Sequence, residues 1–381
     1  MKTTLEPNVS DLMDALRGGS ALIVAFVHSF QIFCLPYFGL YGFPHLFTSW
    51  LATYAVVTFF IVSGFMICLS VSNHSDAHGF KITKFLKARF LRIYPPLLAS
   101  LLLCVSIFLL MDYFQMHGSE SFRLGGELFV SREKVQIEWE RLIPTLLLIY
   151  SIVPGSPPPL SINGPLWTLS YEWWFYLFAM LVVHAAVNKT SWLRVVPVIL
   201  LLALFWRSPA GLLLWIFLLI WGSGYLLAHL YKSEKLLEPR FLFILLLSAA
   251  ICILGIIAVG GENSLIYLAE PLQRYGNPGH KTMMFFGFLL TILIGFMIRK
   301  KAHVRFLSGT ARYSYTLYLI HFPIQLLAFG LLHPYLVNRH WEISLVTGIL
   351  VTLLIVATAS QLARVIENRA LINQMLQRLK R

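Results

Sequence analysis

Nine stretches of this chain are apolar over roughly the length that crosses a bilayer, and little sequence is left between them. They cover residues 18–40, 50–72, 93–113, 166–187, 211–231, 241–260, 282–298, 315–336 and 343–363. A hydrocarbon core of about 30 Å takes about 20 helical residues to span. Two shorter runs, 142–153 and 192–206, are ambiguous, and the first offers only about 18 Å of helix. Hydrophobic residues make up 58% of the chain and charged residues 12%, where a soluble domain carries about 25% charged. No charged stretch of about 100 residues remains for a soluble domain. The expected fold is all-α: a polytopic membrane bundle of about ten transmembrane helices, with residues 1–381 as one integral-membrane domain.

Charge orients the bundle. The loop 73–92 holds Lys81, Lys84, Lys87, Arg89 and Arg92, and the loop 299–312 holds Arg299, Lys300, Lys301, Arg305 and Arg312. The tail adds Arg364, Arg369, Arg378, Lys380 and Arg381. Cytoplasmic loops carry such an excess. Putting all three inside requires that one of the two short runs crosses, not both. Making 142–153 re-entrant or interfacial also brings Lys189 and Arg194 inside, so both termini are expected in the cytoplasm. The segment 114–165 then lies outside, and its Pro157-Pro158-Pro159 run cannot be regular helix. The first sixteen residues are polar and acidic, unlike a cleavable signal. A net charge of +13 follows from these loops and does not indicate nucleic acid. Cys34, Cys68, Cys104 and Cys252 lack metal spacing and read as small buried residues.

Several side chains do not belong in an apolar bundle. Arg17 and His28 are eleven residues apart, which on a helix puts them within about 20° of one face and about 16 Å apart. Arg17 falls at a membrane surface and His28 near the bilayer middle, where an ionisable group suggests a function. A neutral histidine bonded between helices is the bland alternative. Arg89 and Arg92 share a helix face three residues apart, a fork suited to phosphate oxygens. Positive-inside anchoring is the competing account. Glu172 lies among aromatics near the outer end of the run 166–187, where a carboxylate can pair with a histidine or arginine. His321 precedes Pro323, which is set to bend its helix, and can serve substrate or simply satisfy a freed carbonyl. The Ser63-Gly64 step reads as close helix packing.

Together these motifs resemble the integral-membrane acyltransferase family 3. The resemblance rests on Arg17-x10-His28, Phe59-Phe60-Ile61-Val62-Ser63-Gly64-Phe65, Arg89-Phe90-Leu91-Arg92-Ile93-Tyr94-Pro95, Leu166-Trp167-Thr168-Leu169-Ser170-Tyr171-Glu172 and Tyr315-Thr316-Leu317-Tyr318-Leu319-Ile320-His321-Phe322-Pro323. They occur in the family's order across nearly the whole chain. Thr168 stands where many members have serine, and Trp173 where a polar residue is common. The resemblance implies a ten-helix, multi-pass enzyme of the bacterial inner membrane. It implies acetyl-CoA, or another short acyl-CoA, as cytoplasmic donor, and a hydroxyl of a surface polysaccharide or lipid-linked sugar as acceptor. No metal is expected, and the oligomeric state stays open. It further implies His28 as catalytic residue, with Arg17, Arg89 and Arg92 near the donor. Glu172 joins the catalytic candidates, and Ser170, Tyr171 and His321 are candidates to touch substrate. Some relatives carry a further hydrolase-like domain; this chain ends soon after its last span, so an accessory step is expected to use another protein.

The chemistry of these residues agrees with that expectation. Arginines can hold the phosphates of a CoA donor while its arm threads toward His28. A neutral His28 can take the acceptor hydroxyl's proton as general base, with Glu172 supporting the imidazolium. A nucleophilic His28 forming an acyl-imidazole is equally compatible with the sequence. A transporter of small anions or sugars and a non-catalytic scaffold are the rival classes. A transporter more often shows repeats and broken helices in matching halves, and none is detected.

Overall fold

The computed structural model describes residues 5–38, 43–76, 79–118, 135–187, 192–237, 279–302, 304–337 and 339–368, with a few single residues beyond these. The expected span 241–260 and Cys252 lie outside the described residues, apart from a few isolated positions. Within them the chain forms α1 (Pro7–Phe33), α2 (Leu35–Phe38), α3 (Phe43–Asn73), α4 (Ile82–Tyr113), α5 (Trp139–Leu146), α6 (Trp167–Val187), α7 (Val196–Trp206) and α8 (Leu212–Lys232). Then come α9 (His280–Arg299), α10 (Ser314–Leu336) and α11 (Trp341–Ile366). A two-residue hairpin, Ser75–Asp76 with Gly79–Phe80, links α3 to α4. Eight helical segments among the described residues are long and apolar enough to cross a membrane. The protein is an all-α, multi-pass membrane bundle.

Where the helices stop has local causes. The first run ends at Phe33 rather than residue 40, because Pro36 has no amide to give the carbonyl of Ile32. Helices α3 and α8 cross with their backbones in contact. A Cβ on Gly64 would sit 2.0 Å from the Trp221 carbonyl oxygen, and one on Gly224 would sit 2.0 Å from that of Ile61. The reciprocal glycines make the crossing possible, as small residues do between membrane helices. Helix α11 is tied back to α10 by Glu367, whose carboxylate accepts from the Thr316 amide at 3.0 Å and its hydroxyl at 2.5 Å. That caps an otherwise unsatisfied first turn.

The two short runs behave differently. Residues 142–153 hold the end of α5 and then turns, with Leu148 and Ser151 at φ of 56° and 58°. That left-handed backbone is uncommon for non-glycine residues and ends any helix. Yet Leu148, Tyr150 and Ile152 are fully buried. Non-helical backbone survives at membrane depth only inside protein, and here side chains supply the bonds. Ser170 donates to the carbonyls of Leu148 and Tyr150 at 2.9 and 3.0 Å, Trp174 to Leu148 at 2.8 Å, and Ser208 to Ser151 at 2.8 Å. The segment then dips further. Asn163, in the 3-10 turn Ser161–Leu166, donates to the carbonyl of Leu319 at 2.9 Å, a residue only about 8 Å along α10 from its first turn. The run 192–206 yields α7, eleven residues long, or about 16 Å. It is a short helix carrying the chain away from the basic end of the bundle, where the 73–92 and 299–312 loops lie.

Candidate functional site

A cavity of about 560 Å³ opens among α1, α3, α4, α6 and α10 at the basic end. Arg17, Arg89 and Arg92 all line it, so the structure brings the three arginines together from two helices. Arg17 is held by Asp14 at 3.1 Å and by the carbonyl of Ala311 at 3.2 Å. That reach depends on Gly18, where a Cβ would fall 1.7 Å from the Thr310 hydroxyl. The Arg17 Nε is buried and has no hydrogen-bond partner among the described residues. Arg89 lies over the rings of Phe85 and Tyr176, 5.9 and 5.7 Å from their centroids. Arg92 lies within electrostatic reach of Glu172, Glu367 and Arg17.

Glu172 occupies the same cavity. Its Oε1 accepts from Ser63 at 3.1 Å and from the Tyr176 hydroxyl, and Ser63 in turn accepts from Trp221 Nε1 at 3.3 Å. Glu172 lies near the N-terminal end of α6, a helix long enough to span. From there it shares one cavity with Arg17, Arg89 and Arg92. The structure therefore groups Glu172 with the three arginines and pairs His28 with a different residue.

That residue is His321. Nδ1 of His28 and Nε2 of His321 are 2.8 Å apart. The ring planes differ by 3° with centroids 5.1 Å apart. The centroid separation exceeds the N···N distance by two ring radii, so the bond lies in the plane of both rings. His117 and His333 stack face to face instead, with centroids 3.5 Å apart. His321 is fully buried, and its Nδ1 bonds the carbonyls of Tyr318 and Leu317 at 2.8 and 3.1 Å. The carbonyl that Pro323 frees belongs to Leu319, and Ser100 and Asn163 take it at 2.8 and 2.9 Å. His321 is thus not engaged in repairing the proline break.

Tyr318 stands between the two centres. It lines the cavity, and its ring centroid is 5.9 Å from that of His321. Its hydroxyl donates to the carbonyl of Pro165 at 2.7 Å and receives the Thr168 hydroxyl at 2.7 Å. Ser170 and Tyr171 do not line the cavity. Ser170 pins the re-entrant segment, and Tyr171 packs among Phe60, Trp167 and Phe175. Ser63, Tyr176 and Tyr318 are site residues that the sequence reading did not single out. Ser63 sat inside a motif read as packing, and the tyrosines inside aromatic runs.

A polytopic bundle with a charged internal chamber beside a histidine pair, of which His321 is fully buried and His28 half-buried, defines a membrane protein built around an intramembrane site. A family model described as an acyltransferase domain matches residues 11–361, and the chain belongs to that family, acyltransferase family 3. It is also similar to the acyltransferase MdmB of Streptomyces mycarofaciens, 33% identical over 128 residues. The match covers 33% of this chain and 27% of that relative's length. No solved structure matches the chain with significance.

Proposed function

We propose that the protein moves an acyl group, acetyl or another short chain, from cytoplasmic acyl-CoA to a hydroxyl of a surface polysaccharide or lipid-linked sugar. The observation that carries this reading is the convergence of Arg17, Arg89 and Arg92 on one cavity whose inner wall, Tyr318, touches the histidine pair. A CoA donor is polyanionic at one end and reactive at the far end of a flexible arm. In this reading the basic end faces the cytoplasm of a bacterial inner membrane, and the arginines hold the phosphates. Guanidiniums suit phosphate oxygens because they donate in a planar fork. The arm extends past Tyr318 and Thr168 toward His28.

His28 then acts as general base. The acceptor oxygen attacks the thioester carbon as its proton passes to His28. A new C–O bond forms, the C–S bond breaks, and the imidazolium returns the proton to the departing thiolate. The products are the ester and free CoA thiol. Glu172 balances the arginines and orders Ser63 and Tyr176 around the donor arm.

The test uses the full chain in lipid nanodiscs with acetyl-CoA, following thiol release, beside mass spectrometry of surface glycans from cells with and without the protein. Thiol release that needs both His28 and a hydroxyl acceptor supports the reading. Failure to bind acyl-CoA at millimolar donor overturns it.

A further inference from the structure

The histidine pair has a directional hydrogen-bond chain. Carbonyl oxygens only accept, so the His321 nitrogen that faces Leu317 and Tyr318 must carry a hydrogen. A neutral imidazole has one N–H, which leaves Nε2 of His321 with a lone pair. The 2.8 Å contact is then a bond donated by Nδ1–H of His28. Nε2 becomes the basic nitrogen of His28. The tautomer of a histidine is set in this way by what its other nitrogen bonds.

The geometry points to His321 as a positioning residue that fixes the Nε2-basic tautomer of His28 and shares the proton His28 acquires. This rests on the reading of His28 as base. Once Nε2 takes the acceptor's proton, His28 is an imidazolium whose Nδ1–H points at a lone pair. The proton can be shared along that bond, because His321 already donates its other hydrogen to two helix carbonyls. No bond between heavy atoms changes, and the proton later leaves through His28 Nε2 to the thiolate. A carboxylate does this work in serine hydrolases, but it would bury a permanent charge at bilayer depth. A second histidine keeps the pair neutral until the reaction supplies the charge. Of the ionisable groups on the packed elements, Tyr318 on α10 touches His321; Glu172 on α6, Arg17 on α1 and Arg92 on α4 line the cavity, and Glu367 beyond α11 bonds Thr316.

The experiment compares His28→Ala, His321→Leu and His321→Gln in the full chain in nanodiscs, measuring kcat, donor KM and the pH profile of kcat. Glutamine places a carbonyl oxygen near the position of Nε2, where it can accept from His28. His321→Leu is expected to lower kcat about a hundredfold or more with donor KM within about twofold. His321→Gln should recover about tenfold of that loss by restoring the acceptor. In His321→Leu the acid limb of the profile should move to lower pH, because the imidazolium has lost its partner, and in His321→Gln it should move less. Equal losses in the two variants with an unmoved acid limb would reduce His321 to a structural residue and overturn the inference. So would normal kcat in His321→Leu while His28→Ala is inactive. Activity in His28→Ala overturns the base assignment itself, which separates the two failures.

Discussion

The arginine chamber and the histidine pair lie side by side and solve opposite problems. The chamber gathers permanent charges at the basic end, where Asp14, Glu172 and ring faces balance guanidiniums around open space. The pair is built from two rings in one plane, with backbone carbonyls behind His321, and in the proposed reaction it sits where a permanent charge is costly. In that reaction one region holds an ion that arrives charged, and the other waits for a charge made during the reaction. Tyr318 lines the chamber, and its ring centroid lies 5.9 Å from that of His321. Binding and chemistry should therefore respond separately to mutation.

The largest expected effect is on the chemical side. His28→Ala should lower kcat by about a thousandfold or more while donor KM stays near normal, within the range of general-base contributions. A folded variant with near-normal turnover would erase the division. Next, Arg89→Ala combined with Arg92→Ala should raise donor KM about a hundredfold with little change in kcat, since charge-assisted bonds contribute about 1.5–3 kcal/mol each. The arginine effect should also weaken with added salt, and the His28 effect should not. Binding isotherms at two ionic strengths check this.

Smaller effects probe the boundary. Tyr318→Phe keeps the ring and removes its bonds to Pro165 and Thr168, so kcat should fall about tenfold at unchanged donor affinity. The smallest belongs to Gly18→Ala. Its Cβ displaces Thr310 and loosens the Ala311 carbonyl from Arg17, so donor KM should rise about threefold, about half the worth of one charge-assisted bond. An unchanged KM would show that Arg17 does not depend on this packing.

Much of the chamber was legible because helix periodicity alone aligns Arg89 with Arg92 and Arg17 with His28. The bundle was legible from the apolar runs. The neighbours of Glu172 were not, since hydropathy sees that residues 166–187 are apolar but not which helices face them. The short run 142–153 and the prolines 157–159 pointed to non-helical chain before it, but not to what that chain packs against. The partner of His28 was also hidden: the two histidines are 293 residues apart, and no spacing rule joins α1 to α10. Ser63 was masked by Gly64, whose packing reading holds while its neighbour bonds Glu172.

The re-entrant segment has a consequence for how the protein is made. Its carbonyls at Leu148, Tyr150 and Ser151 are satisfied by Ser170, Trp174 and Ser208, all of which emerge from the ribosome after it. Each carbonyl left bare in hydrocarbon costs several kcal/mol, so the segment has nowhere stable to go when it is first synthesised. These bonds can form only once α6 and the turn at Ser208 have been made. Because Asn163 and Pro165 follow it down to Leu319 and Tyr318, the wall between chamber and histidines is closed only at that late stage. An incomplete chain therefore has helices but no finished site.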